Sequence, residues 1–310
     1  MHDQTTHIDL PAGSVLAGVD GSAYALAAVR WAAAEAASRR APLVLLHAVP
    51  YLDADVGGRQ PRHARGVLGR ALGEAERYLD KAQVRTEFVT GEPVQSLTEA
   101  SAGAALLALG LTGTGGLDEI LLGSTTLALS GRVRCPLVGV RHWPAPMAAD
   151  RAGFVLLGLS SVHADADAVE TAFELADRWK RELVVLHARR GRGEAPGTYD
   201  DHEPAGQQGM LEWDLRGWRH RYHKVAVRYE LPDGQPATEL LRCAGRAEVV
   251  VVGSRKRGPA ARALLGSTGR TILRYSAAPA IVIGPEATLY RQPAMPPADA
   301  GDPHALSNLW

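Results

Sequence analysis

The chain has 310 residues, and its 34 basic side chains balance 34 acidic ones, so its formal net charge is +0. That length holds two ordinary domains, each with a core of its own, and a hydrophobic share of 46% excludes wholesale disorder. A balanced charge leaves no global positive field for nucleic acid or an anionic membrane. The cysteines, Cys135 and Cys243, are too few for a disulfide framework or a zinc site of their own, which fits a reducing compartment. The opening MHDQTTHIDLPAG carries acids and no apolar centre, and no apolar run is long enough to span a bilayer. The expectation is a soluble, cytoplasmic protein.

In chain order, VLAGV (15–19) is a short apolar run before Asp-Gly-Ser and reads as a strand. Ser22 is placed to cap an Ala-rich helix that runs to Arg40, with Pro42 as its stop. LVLLHAV (43–49) is a second strand, 63–83 a helix, VRTEFV (84–89) a third strand and 94–103 a helix. ALLAL (105–109) is a fourth strand that leads into a glycine-rich loop, a helix from Ser124 and a fifth strand, PLVGV. WPAPMAAD (143–150) reads as a linker. The order then recurs, with strands at 154–158, 183–188, 224–230, 248–252 and 279–283 and a helix over 208–222. The polar stretch 190–207 reads as a surface insertion, and residues 289–310, rich in Pro and Ala, as an unstructured tail.

The recurrence is a duplication. VLAGVDGS (15–22) matches VLLGLSSV (155–162), LVLLHAV matches LVVLHAR (183–189), and CPLVGV (135–140) matches APAIVI (278–283). Gly110 and Gly123 correspond to Gly253 and Gly266 at one constant offset. Two homologous domains follow, 1–145 and 150–288. Continuous apolar strands between helices imply a parallel sheet covered on both faces. The predicted fold is therefore α/β, as two tandem doubly wound sandwiches of five parallel strands. In such sheets a ligand lies beyond the carboxyl ends of the strands, where strand order reverses.

At those ends stand Gly18-Val19-Asp20-Gly21-Ser22 and, after the fourth strand, Gly110-x2-Gly113-x9-Gly123-Ser124-Thr125. Glycine lets backbone approach a ligand, and a helix start after Gly123 favours phosphate. Gly-x2-Gly-x9-Gly-Ser/Thr with Val-Asp-Gly-Ser resembles the universal stress protein family, over both repeats and nearly the whole chain. The resemblance implies ATP held at this loop in the family's nucleotide-binding branch, domains that pair through the last strand, and a role in survival under stress. It implies that Asp20 lies near the adenosine and any metal, with Mg2+ the expected ion. Ala48 then flanks the adenine, and Gly110, Gly113, Gly123, Ser124 and Thr125 cradle ribose and phosphates. In the second repeat the counterparts are Ala188, Gly253, Lys256, Gly266, Ser267 and Thr268. There Ser160 replaces Asp20, Ser161 replaces Gly21 and Lys256 replaces Gly113. Lys256 either supplies charge to a phosphate or blocks an approach that needs glycine.

Other chemistries fit less well. The turn GVDGSA is not the dinucleotide fingerprint, and Gly123-Ser124 lacks the lysine of a P-loop. His163, Asp165 and Asp167 alternate as metal ligands on a strand would, but they begin a helix, where acids near the N-terminus are ordinary. His47 and His187 end equivalent strands and are open to a structural or a ligand role. No catalytic triad can be placed. The favoured function is a non-catalytic, ATP-binding regulator. A nucleotide-independent scaffold and a slow ATPase are the alternatives. The two domains are expected to cover each other's fifth-strand edge, in a chain that stands alone or forms a homodimer.

Overall fold

A computed structural model describes residues 10–50, 60–111, 123–143, 153–189, 204–253 and 266–291. The first half contains β1 (Val15–Gly18), α1 (Ala23–Arg39), β2 (Leu43–Val49), α2 (Gln60–Ala75), β3 (Val84–Thr90), α3 (Pro93–Ala100), β4 (Leu106–Gly110), α4 (Ser124–Leu129) and β5 (Leu137–Val140). The second contains β6 (Phe154–Gly158), α5 (Ala166–Trp179), β7 (Leu183–Leu186), α6 (Pro204–Asp214), α7 (Arg216–Arg221), β8 (Val227–Glu230), α8 (Pro236–Ala244), β9 (Ala247–Gly253), α9 (Ser267–Tyr275) and β10 (Ala280–Ile283).

Alternation along each strand sends neighbouring side chains to opposite faces, and here both faces are apolar. Val15 and Ala17 join Trp31 of α1, Val67 of α2 and Phe173 of α5 in one buried layer that extends across both halves. Leu16 turns the other way, to Leu97 of α3 and Leu129 of α4. The second half has its own layer on that side, built from Leu156, Leu240 of α8 and Ile272 of α9. The strands lie in the order β3-β2-β1-β4-β5-β10-β9-β6-β7-β8. Each half is parallel, and strand order reverses between β1 and β4 and again between β6 and β9. These are the doubly wound α/β units expected from the repeats.

One antiparallel ladder, β5 against β10, joins the halves, with Ala280 opposite Gly139 and Val282 opposite Leu137. A Cβ on Gly139 would lie 2.6 Å from Leu111 and 2.8 Å from Leu273, so this glycine lets side chains of both halves meet over the ladder. Where α1 meets α5, Glu35 of α1 has a fully buried side chain. It receives Arg178 at 2.7 Å and Trp179 Nε1 at 3.0 Å from α5, and Arg39 at 2.7 Å from its own helix. Trp31 and Trp179 pack edge to face with centroids 6.3 Å apart. After β10 the chain returns to the first half: Thr288 donates to Arg134 O at 2.9 Å, and the Tyr290 ring lies on Gly13. Leu289 and Tyr290, assigned from sequence to the tail, are therefore packed.

Two helix boundaries differ from expectation. The helix expected over 63–83 begins at Gln60 and ends at Ala75, followed by turns and a 3-10 segment at Lys81–Gln83. Leu79 stays buried, so the apolar period runs past the break and hides it. The helix expected over 208–222 is two helices, α6 and α7, parted at Leu215, whose φ and ψ are −86° and −1°.

Candidate functional site

In doubly wound sheets a ligand crevice lies at the carboxyl ends where strand order reverses, which here is between β1 and β4. Its first wall is the loop after β1. Val19 N donates to Leu46 O at 2.8 Å, and the His47 ring, 6% exposed, meets Val19 O through Nδ1 at 2.6 Å. That contact requires the proton on Nδ1, because a carbonyl only accepts. His47 is thereby a tether for the loop. Its Nε2 is buried without a partner among the described residues. Asp20 is exposed, and its Oδ1 accepts from Ser22 N at 2.9 Å. Gly21 takes φ +86°, and Ser22 Oγ caps α1 by accepting from Ala25 N at 3.0 Å.

The second wall is the end of β4. A Cβ on Gly110 would lie 2.6 Å from Ala25 N and from the Tyr24 carbonyl carbon. Only glycine lets β4 end so close to the start of α1. Thr126 Oγ1 then donates to Gly110 O at 3.1 Å, and Gly123 N donates to Leu111 O at 2.6 Å. These bonds staple the start of α4 to the end of β4, with Ser124 exposed and Thr125 half-buried. Ala48, half-buried, sits on the adjoining strand, paired with Val89. Gly110, Gly123, Ser124 and Thr125 thus meet at the end of β4, Asp20 lies in the loop from β1 into α1, and Ala48 is on β2, the strand beside β1. Gly113 and Lys256 lie outside the described residues.

The second half repeats the frame but fills it differently. Leu159 N donates to Leu186 O at 2.9 Å, and His187 Nδ1 meets Leu159 O at 3.0 Å, as in the first half. Gly253 ends β9, and Gly266 precedes α9 with Ser267 exposed and Thr268 half-buried. Ala188 is buried, unlike Ala48. Helix α5 starts later in its repeat than α1, and the side chain of Asp165, the counterpart of Ala25, stands against Gly253 where the backbone of Tyr24 and Ala25 stands against Gly110. Asp165 is 4% exposed, and its Oδ2 accepts from Ser160 N at 2.9 Å, Ser160 Oγ at 2.7 Å and Ser161 N at 3.2 Å. A Cβ on Gly253 would overlap Asp165 Oδ1. Sequence reasoning placed Asp165 at a helix start but missed this reach back. The available signal was the loss of an acid at position 160 together with the gain of one at 165.

Among the described residues no group of three or more His, Cys, Asp or Glu is placed to hold a metal, so His163, Asp165 and Asp167 do not form the metal cluster weighed above. No helix among the described residues is long and apolar enough to cross a membrane.

The model of the universal stress protein family matches residues 12–141 and again 155–284. A universal stress protein of Mycolicibacterium smegmatis is 35% identical over 291 residues, covering 87% of this chain and 97% of the relative. One from Mycobacterium tuberculosis is 33% identical over 282 residues, covering 86% and 95%. The crystal structure of a universal stress protein from Archaeoglobus fulgidus superposes with a TM-score of 0.67 at 19% identity, over 89% of this chain and 100% of that one. The doubly wound units and their glycine-bearing rims define a tandem α/β protein with a strand-end crevice in each half. The chain belongs to the universal stress protein family, with two family domains in tandem.

Proposed function

We propose that this protein is a cytoplasmic, non-catalytic regulator that binds an adenine nucleotide, ATP with Mg2+, in the crevice between β1 and β4. The observation that carries the reading is the approach of Gly110 to the start of α1, which leaves backbone rather than side chain at the rim. Beside it stand the hydroxyls of Ser124 and Thr125 and the exposed carboxylate of Asp20. Ala48 offers a small face for a purine. Family membership adds support, because nucleotide binding is what the resemblance of the Gly-x2-Gly-x9-Gly-Ser loop implies. In this reading Asp20 meets the ion that accompanies the phosphates.

Hydrolysis would need a group that orients water and another that stabilises the developing charge. Among the described residues Asp20 is the acid beside β1, and its Oδ1 already accepts from Ser22 N. A binding role therefore fits better than turnover. Occupancy would act through whichever arrangement of the halves binds nucleotide more tightly. The contacts between α1, which borders the crevice, and α5 offer a route for it.

Thermal unfolding with and without ATP and magnesium tests the reading. At a hundredfold excess over Kd, binding to the folded state alone adds about 2.7 kcal/mol, a rise of roughly 5 °C. Ala48→Phe, which fills the purine face, should remove the rise while leaving the unliganded transition in place. Equal transitions with and without nucleotide in the unsubstituted protein would refute it.

A further inference from the structure

We infer that the second crevice is closed by the chain's own carboxylate, so that the protein takes one nucleotide, in its first half. The inference rests on the nucleotide reading above and deepens it. The two halves are controls for each other. In the first half the loop after β1 keeps an exposed acid, Asp20, and the amides of Asp20 and Gly21 have no protein acceptor among the described residues. In the second half the corresponding amides are those of Ser160 and Ser161, and both donate to Asp165 Oδ2. Ser160 Oγ donates to the same oxygen at 2.7 Å. The other oxygen, Oδ1, lies against Gly253 at the end of β9. Asp165 therefore ties the loop after β6 to the end of β9, at 4% exposure, and holds a charge against the amides that would face an anion there.

An anion already bound by these donors acts on a second anion in two ways. It removes the N–H groups that a ligand would use, and it places a like charge against an incoming triphosphate. Displacing it would strand a buried carboxylate, which is costly. The first half has no such group: the backbone of Tyr24 and Ala25 stands against Gly110 there, and it carries no charge and engages neither loop amide.

Photolabelling the full-length protein with 8-azido-ATP and magnesium, followed by peptide mapping, tests this alongside equilibrium dialysis with labelled ATP. Asp165→Ser removes the carboxylate and leaves a short polar side chain before α5. Asp165→Asn keeps the shape and removes the charge. The unsubstituted protein should bind one ATP per chain, with label confined to peptides of the first half. Asp165→Ser should add a second ATP and label near Ala188, and Asp165→Asn should raise second-half labelling about tenfold or more. Label in both halves of the unsubstituted protein would overturn the inference. So would a dark second half in Asp165→Asn and in any folded Asp165→Ser protein while the first half labels normally. No label in any of the three proteins would bring down the nucleotide reading itself, and this inference with it.

Discussion

Cys135 is fully buried two residues ahead of β5, and burial pushes its thiol up to about 12. A thiol reacts through its thiolate, so this one is inert while the fold holds. Cys243 on α8 is only half-buried. Titration with DTNB should therefore modify Cys243 in the folded protein and both cysteines in denaturant, and labelling of Cys135 at the rate of Cys243 in the native state would be the contrary result. The position of Cys135 before an apolar strand was enough to read it as buried. Asp165 is the opposite case. Its neighbours in sequence, His163 and Asp167, suggested either a metal set or helix-end acids, and neither described what the carboxylate does. Its donors lie four and five residues back, and its other contact is Gly253 on a distant strand. His47 shows the same limit. Its ring could not be assigned a role until Val19 O stood 2.6 Å from Nδ1.

Among elements, the strands were the most legible, because four or five consecutive apolar residues between helices leave few alternatives in a parallel sheet. Helix ends were less so. The apolar period carries through Leu79 although α2 stops at Ala75, and nothing in the period marks Leu215 as a break. Gly110 and Gly253 are places of close approach, but what stands against Gly110 is the backbone of α1, which spacing alone does not reveal, and Gly266 has open space beside it. A methyl group at Gly110 would have to displace Ala25 N and the Tyr24 carbonyl carbon, both at 2.6 Å. Backbone at a capped helix start gives way poorly. Gly110→Ala should cost about 2 kcal/mol in urea unfolding and weaken ATP binding by roughly tenfold. An alanine variant as stable as the parent would mean that the start of α1 is free to move.

For the whole molecule, the join between halves combines the β5–β10 ladder with a buried charge cluster. Glu35 is fully buried, while Arg39 and Arg178 are 17% and 22% exposed. Arg178 is itself held below the usual guanidinium range by burial, opposed by the nearby Glu35 carboxylate. Removing the carboxylate leaves two cations and the Trp179 N–H without their acceptor. Glu35→Ala should therefore lose about 3 kcal/mol, and the halves should begin to unfold in separate urea transitions. A single unshifted transition would assign the coupling to the ladder and the shared apolar layer alone.

Duplication, the succession of strands and helices within a repeat and the glycine spacing were all written in local pattern, because periodicity and turn chemistry act over a few residues. The register of β5 against β10, the burial of Glu35 between two helices and the turn of Asp165 into its own crevice were decided by the folded chain. Each depends on which groups come within about 3 Å across the sheet, and a hydrogen bond or ion pair is chosen by that distance, whatever the separation along the chain.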